Sequence, residues 1–142
     1  MPSGGDTTYY QKIYGALHAD YDLLAAEAGP VGNILVPKSA NHQIFIQHIV
    51  VSVTTYSAKT ITFQDDAGTP VPIAHFSIPA AAPTGGGNQE YRIDFTGDGS
   101  PLTLGKNLDI VLSGAGVAGR IHVESYQKLI GPVTVTQAAA GG

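Results

Sequence analysis

The sequence contains no cysteine. Disulfides, thiol nucleophiles and cysteine-based zinc sites are therefore excluded. Charge is scarce: Asp, Glu, Lys and Arg make up only 13% of the chain, about half the usual share. The seven basic residues stand against eleven acidic ones, for a net charge of −4. That balance leaves no basic patch for phosphate neutralisation, so no nucleic-acid partner is expected. No stretch approaches eighteen unbroken apolar residues, so no membrane-spanning helix is expected. The start, MPSGGDTTYYQ, lacks a basic region followed by an apolar run, and no signal peptide is expected.

What is present is a chain of 142 residues, 43% hydrophobic, with 18 glycines and 9 prolines. That suits one domain with a real core, punctuated by turns. Residues 33–37, 43–54, 58–64, 71–78, 89–95, 102–104, 107–113 and 117–127 read as eight short strands. Several alternate cleanly. Tyr91, Ile93 and Phe95 interleave with Glu90, Arg92 and Asp94, and Ile121 and Val123 interleave with Arg120, His122 and Glu124. Period two with one polar face predicts antiparallel strands, packed on one side and wet on the other. Asp65-Asp66-Ala67-Gly68 reads as a hairpin turn, and Thr96–Pro101 and Gly114–Gly116 as further turns. Residues 79–87 read as a longer loop. Residues 43–54 are continuously apolar around Ile49, Val50 and Val51, which suggests a central strand.

The expected fold is therefore all-β: a jelly-roll β-sandwich of about eight antiparallel strands at 33–128, with extended N- and C-terminal arms. The N-terminal arm spans 1–32. Within it, Leu17, Tyr21, Leu24 and Ala28 recur at helical spacing, which predicts a short helix over 16–28 ended by Gly29-Pro30. This arm holds Lys12 against Asp6, Asp20, Asp22 and Glu27, most of the net negative charge. The C-terminal arm spans 129–142 and carries no charge beyond its terminus.

Residues that could carry chemistry are few. The five histidines are His18, His42, His48, His75 and His122. No His-x-His pair of the cupin kind occurs. His42 and His48 share a face of a regular strand, but lie about 20 Å apart at 3.3 Å per residue. His122 and Glu124 lie i, i+2 on one face and read as a solvated pair. No metal and no cofactor are expected. Ser57 and Ser113 have no nucleophile elbow around them, and Gly85-Gly86-Gly87 is not followed by the residues of a phosphate loop. Asp94 and Glu124 could oppose each other as glycosidase carboxylates, but exposed acids on strand faces are the ordinary case. The chain is not expected to be an enzyme.

The aromatics are more informative. Tyr9, Tyr10, Tyr14 and Tyr21 crowd a segment too short to build its own core, so they need a surface to dock on. That surface is either this sandwich or another chain. Val133 and Val135 lie in a strand-like tail that could add to a neighbouring sheet edge or cover this domain's own. Candidate partner-binding residues are thus Tyr9, Tyr10, Ile13, Tyr14, Tyr21, Val133 and Val135.

The succession TITFQDDAGT at 60–69, LTLGKNLDIVLS at 102–113 and AGRIHVESY at 118–126 resembles small virion structural proteins of tailed phages. It looks most like their jelly-roll capsid cement, or decoration, proteins. The resemblance covers roughly 33–128 and rests on β-hairpin signatures. It implies a protein on the outer capsid surface of the virion, stabilising the shell by bridging neighbouring major capsid protein subunits. It also implies a homo-oligomer, here a homodimer or homotrimer. The alternative is a tail or fibre-tip module that binds a host glycan, since jelly rolls also serve as lectins. The loop at 79–87, with no aromatic and no charge, counts against that alternative.

Overall fold

The computed structural model describes residues 11, 14–83 and 89–130. The elements are β1 (Ala16–Leu23), β2 (Gly29–Leu35), β3 (His42–Thr55), β4 (Lys59–Asp65), β5 (Pro72–Ile78), β6 (Gln89–Asp94), β7 (Ser100–Pro101), β8 (Leu108–Leu112) and β9 (Ala118–Leu129). They form two antiparallel sheets. Sheet A runs β1-β9-β3-β6, with the two-residue β7 also on β3, and sheet B runs β2-β8-β4-β5. The chain changes sheet at nearly every connection. Only β4 and β5 form a hairpin within one sheet, joined by residues 66–71 and closed by the bond from Asp65 N–H to Val71 O at 3.2 Å. The eight longer strands, interleaved four to a sheet, make jelly-roll topology.

The core lies between the sheets. Along β4, Ile61 and Phe63 point inward; along β8, Leu108, Ile110 and Leu112 do. Ile121 and Val123 of β9 face them, fully buried. Each such side chain contributes about 1.5–3 kcal/mol on burial, which sets which face of each strand turns inward.

Residues 16–28 are not a helix. Ala16–Leu23 pairs with β9 in register from Ala16 opposite Tyr126 to Leu23 opposite Gly119. Its exposure alternates strictly, with Leu17, Ala19, Tyr21 and Leu23 inward and His18, Asp20 and Asp22 outward. Leu17 and Tyr21 are four apart, a spacing that fits a helical face and two periods of a strand equally well. The residues that separate the two patterns are Ala19 and Leu23, which are buried, and Leu24, which is 62% exposed. A strand also finds hydrogen-bond partners along β9, whereas a helix this short is marginal without a groove to lie in. Residues 16–32 thus belong to the sandwich rather than to an arm, because β1 and β2 supply an edge strand to each sheet.

Residues 102–104 are likewise not a strand. They cross from sheet A to sheet B at the end of the sandwich. Leu102 is buried and its N–H donates to Ile44 O at 2.9 Å, while Thr103 is held by Asp65.

The unbroken apolar run in β3 has a specific cause. Ile44 and Ile46 point inward before Gln47, and Ile49, Val51 and Val53 point inward after it. Gln47 is an extra residue: Ile46 lies opposite Ser125 and His48 opposite Glu124, neighbours on β9. This β-bulge shifts the inward phase from even to odd numbers.

Candidate functional site

The outer face of sheet A carries most of the polar chemistry. The registers place His18 of β1, Glu124 of β9, His48 of β3 and Asp94 of β6 in one row across four strands. The next row is Asp20, His122, Val50 and Arg92. His122 is held from both sides. Its Nδ1 lies 2.8 Å from Asp20 Oδ1 and its Nε2 2.6 Å from Glu124 Oε2. The other Glu124 oxygen accepts from Gln11 Nε2 at 2.8 Å and lies 2.7 Å from His18 Nδ1. The His48 ring lies 6.1 Å from that of His122, centroid to centroid.

These contacts set the protonation of the cluster. Burial pushes Glu124 up, but the hydrogen bonds from Gln11 and His122, with His18 close by, hold it below its ordinary value. Burial pushes His122 down, but its bonds to Asp20 and Glu124 outweigh that and raise it. Asp20 is lowered by its bond to His122. His48 goes the other way, lowered by burial and by the neighbouring Arg92. Within hydrogen-bonding reach of one another, then, are a charged carboxylate and an imidazole that favours its charged form, with a second imidazole that favours its neutral one beside them. His48, His122 and Glu124 are the described residues whose donor atoms could hold a metal ion, lying within 4.8 Å of one another.

Sequence reasoning paired His48 with His42 along one strand and His122 with Glu124 along another. It missed the row that joins them, because cross-strand register is not visible in a single segment. Asp94 and Glu124, considered as opposed carboxylates, lie on one sheet face with His48 of β3 between them. They do not face each other across a cleft.

A second feature is an aromatic stack beside this row. Tyr126 is fully buried although it lies on the outer face of β9. Phe45 stacks on it at 5.1 Å and Tyr14 at 5.6 Å, with Lys128 Nζ 4.8 Å from the Tyr14 ring centroid. Tyr14 and Gln11 therefore lie back over their own sandwich. Tyr21 points into the sandwich, packs against the core and donates its hydroxyl to Glu27. Tyr9, Tyr10, Ile13, Val133 and Val135 lie outside the described residues.

A third feature is apolar. Seven large hydrophobic side chains are exposed among the described residues, and five of them, Val36, Val71, Leu104, Leu129 and Ile130, gather at one end of the sandwich. The backbone contacts that converge there are Ile130 N–H to Asn41 O at 2.8 Å, Gly105 N–H to His42 O at 2.9 Å and Lys38 N–H to Gln127 Oε1 at 2.8 Å. Val71 joins through Asp65, which bonds to both Val71 and Thr103. Lys38 and Lys106 lie in the same loops, two residues from Val36 and Leu104. None of its five apolar residues was singled out from sequence, because the segments that carry them are separated by up to 94 positions in the chain.

Compared with known proteins, the chain matches no family model and no curated sequence.

Proposed function

We propose that this chain is a virion structural protein that coats the outer surface of a tailed-phage capsid and bridges neighbouring major capsid protein subunits, acting as a homodimer or homotrimer. The observation that carries this reading is the apolar end of the sandwich. Val36, Val71, Leu104, Leu129 and Ile130 are each exposed on the loops and strand end there, where the chain continues into its uncharged last residues. Large apolar side chains gathered at one place mark a protein-binding surface. Lys38 and Lys106, in the same loops, suit a shell surface with acidic groups around an apolar patch. Jelly-roll topology is common to capsid and lectin domains, so it is compatible with the reading without deciding it. A coat protein needs no reaction. Repeated copies on a lattice convert modest single contacts into firm attachment.

The test is copy number, by quantitative mass spectrometry of purified virions relative to the major shell protein. The proposal expects a ratio near that of a lattice component. A handful of copies per particle would move the protein to the tail and favour glycan binding, and absence from virions would end the proposal.

A further inference from the structure

We infer that His48, His122 and Glu124 form a binding site for one divalent transition-metal ion of the zinc class on the outer face of sheet A. Their donor atoms already lie within 4.8 Å of one another. Two imidazoles and a carboxylate suit Zn2+ and its first-row neighbours better than Ca2+ or Mg2+, which favour all-oxygen sets.

The surroundings of the three side chains select which atoms are available. His122 Nδ1 is engaged by Asp20 Oδ1 at 2.8 Å. Glu124 Oε1 is engaged by Gln11 Nε2 at 2.8 Å and His18 Nδ1 at 2.7 Å. That leaves His122 Nε2 and Glu124 Oε2, 2.6 Å apart, clear of those partners. A carboxylate on the far nitrogen of a ligating histidine is the usual orienting arrangement in metal sites. Asp20 is the positioning residue here, and Gln11 and His18 serve Glu124 in the same way.

The backbone holds the three ligands in place. His122 and Glu124 are i, i+2 on β9, and His48 is registered directly opposite Glu124 on β3. A tetrahedral zinc ion with bonds of about 2.0–2.1 Å sets its donor atoms about 3.3 Å apart. The His122–Glu124 pair therefore opens slightly and the His48 ring closes in, both by side-chain rotation, and water completes the coordination. The bound ion ties β3 to β9 beside the Gln47 bulge. This inference does not depend on the capsid reading.

The experiment uses the full chain without an affinity tag, stripped with chelator and titrated with ZnCl2 by calorimetry. Co2+ absorption reports the geometry. One ion per chain is expected, with a melting temperature that rises with zinc concentration. His48→Ala and His122→Ala each abolish binding. Asp20→Asn weakens it by about tenfold or more. His42→Ala and His75→Ala, at the apolar end and on sheet B, leave it unchanged. Circular dichroism checks each variant for folding, and His48→Gln decides the matter if His122→Ala fails to fold. Absence of saturable binding below millimolar zinc overturns the site. So does binding that survives the loss of His48.

Discussion

His48 lies directly opposite Glu124 because Gln47 is an extra residue in β3. The bulge brings a half-buried imidazole level with a carboxylate, and it also resets the inward phase of the strand from Ile46 to Ile49. One residue thus serves both the core and the polar face.

This makes an unusual prediction about deletions. Removing Gln47 leaves Ile46 and Ile49 on opposite sides of a single outward residue, so every core side chain keeps its face. The losses include the bond from Phe95 N–H to Gln47 O, at 2.9 Å, and the contact with Gln11. We expect a folded protein less stable by about 1–2 kcal/mol, measured by urea denaturation. Removing Val50 instead turns Val51 and Val53 outward, or forces His48 in and Ile49 out if the bulge is ironed flat. Either result is expected to prevent folding. If the two deletions cost the same, the phase argument fails.

Asp65 is fully buried and charged. Its oxygens accept from the N–H groups of Ala67, Val71 and Thr103 and from the Thr103 hydroxyl. Burial pushes its pKa up, but the Thr103 hydroxyl and these N–H groups outweigh it and hold the carboxyl below 3.8. A folded-state value below the unfolded one contributes stability at pH values above the unfolded value. That contribution is lost as pH falls toward and through the lowered folded value. Denaturation midpoints should therefore drop steeply below about pH 4, and Asp65→Asn should flatten that drop. Asp65→Ala should cost about 1–3 kcal/mol at neutral pH, because it removes the charged acceptor of four hydrogen bonds from Ala67, Val71 and Thr103. An Asp65→Asn protein with an unchanged acid limb would show that other carboxylates dominate.

Tyr21 gives the opposite limb. Burial, together with its bond to Glu27, pushes its hydroxyl up to about 12. The unfolded chain ionises first, near 10, so this group's stabilisation is present below pH 10 and is lost as pH rises from there toward 12. Glu27 also accepts from Leu24 N–H at 2.7 Å, so the pair fixes the turn between β1 and β2. Tyr21→Phe should cost about 0.5–1.5 kcal/mol at pH 7 and weaken the alkaline loss. Ultraviolet difference titration should find one tyrosine ionising later in the wild type than in the variant's set; identical titrations would refute the assignment.

The regular parts of this fold were legible in the sequence for a simple reason. In β4, β8 and β9 a period-two pattern ran unbroken between turn signals; β4 and β5 do form a hairpin, but Asp65 ends β4 and the connection is the longer stretch 66–71. The first strand was misread because Leu17 and Tyr21 satisfy two periods at once. Only the exposure of Leu24 and the burial of Ala19, facts of packing, separate them. A strand was also read at 102–104, where Leu102 is buried by a crossover. Nine strands form where eight were read, because β1 and the two-residue β7, inside the stretch 96–101 read as a turn, both lay outside the reading. The histidine–carboxylate row was invisible because its members come from four strands, and register between strands resides in no single segment. Gln47 was readable in principle: the apolar run from Ile44 to Val53 keeps one alternation only if one residue is skipped.

Gly119 lies in β9, opposite Leu23 of β1 and Val53 of β3. A Cβ placed there would come within 2.1 Å of Ser52 O and 3.0 Å of the Val53 Cα. The obstacle is backbone on a central strand pair, so no side-chain rotation relieves it. Gly119→Ala should cost about 1–3 kcal/mol or more, against a small effect for Gly68→Ala, where nothing lies within 4 Å. Thermal unfolding of the two variants makes the comparison. A Gly119→Ala protein as stable as the wild type would mean that β3 and β9 are further apart than described.

Truncations separate folding from attachment. From sequence alone, residues 1–32 read as an arm outside the sandwich. The pairing of β1 with β9 and β2 with β8 argues otherwise. Deleting 1–30 removes all of β1, the partner of Ile121 and Val123 in sheet A, together with the first two residues of β2, and should leave no cooperative unfolding transition. Deleting 131–142 touches none of the described pairings, so its melting temperature should stay within a few degrees of the full chain. If the apolar end is the attachment surface, Leu129→Asp combined with Ile130→Asp should behave like a folded protein that no longer coats capsids. Both side chains are exposed, 61% and 48%, so the substitutions cost little in the free chain. Capsids purified after incubation with each variant, and assayed for bound copies, give the answer. Full occupancy by the double aspartate variant would place the contact elsewhere on the sandwich.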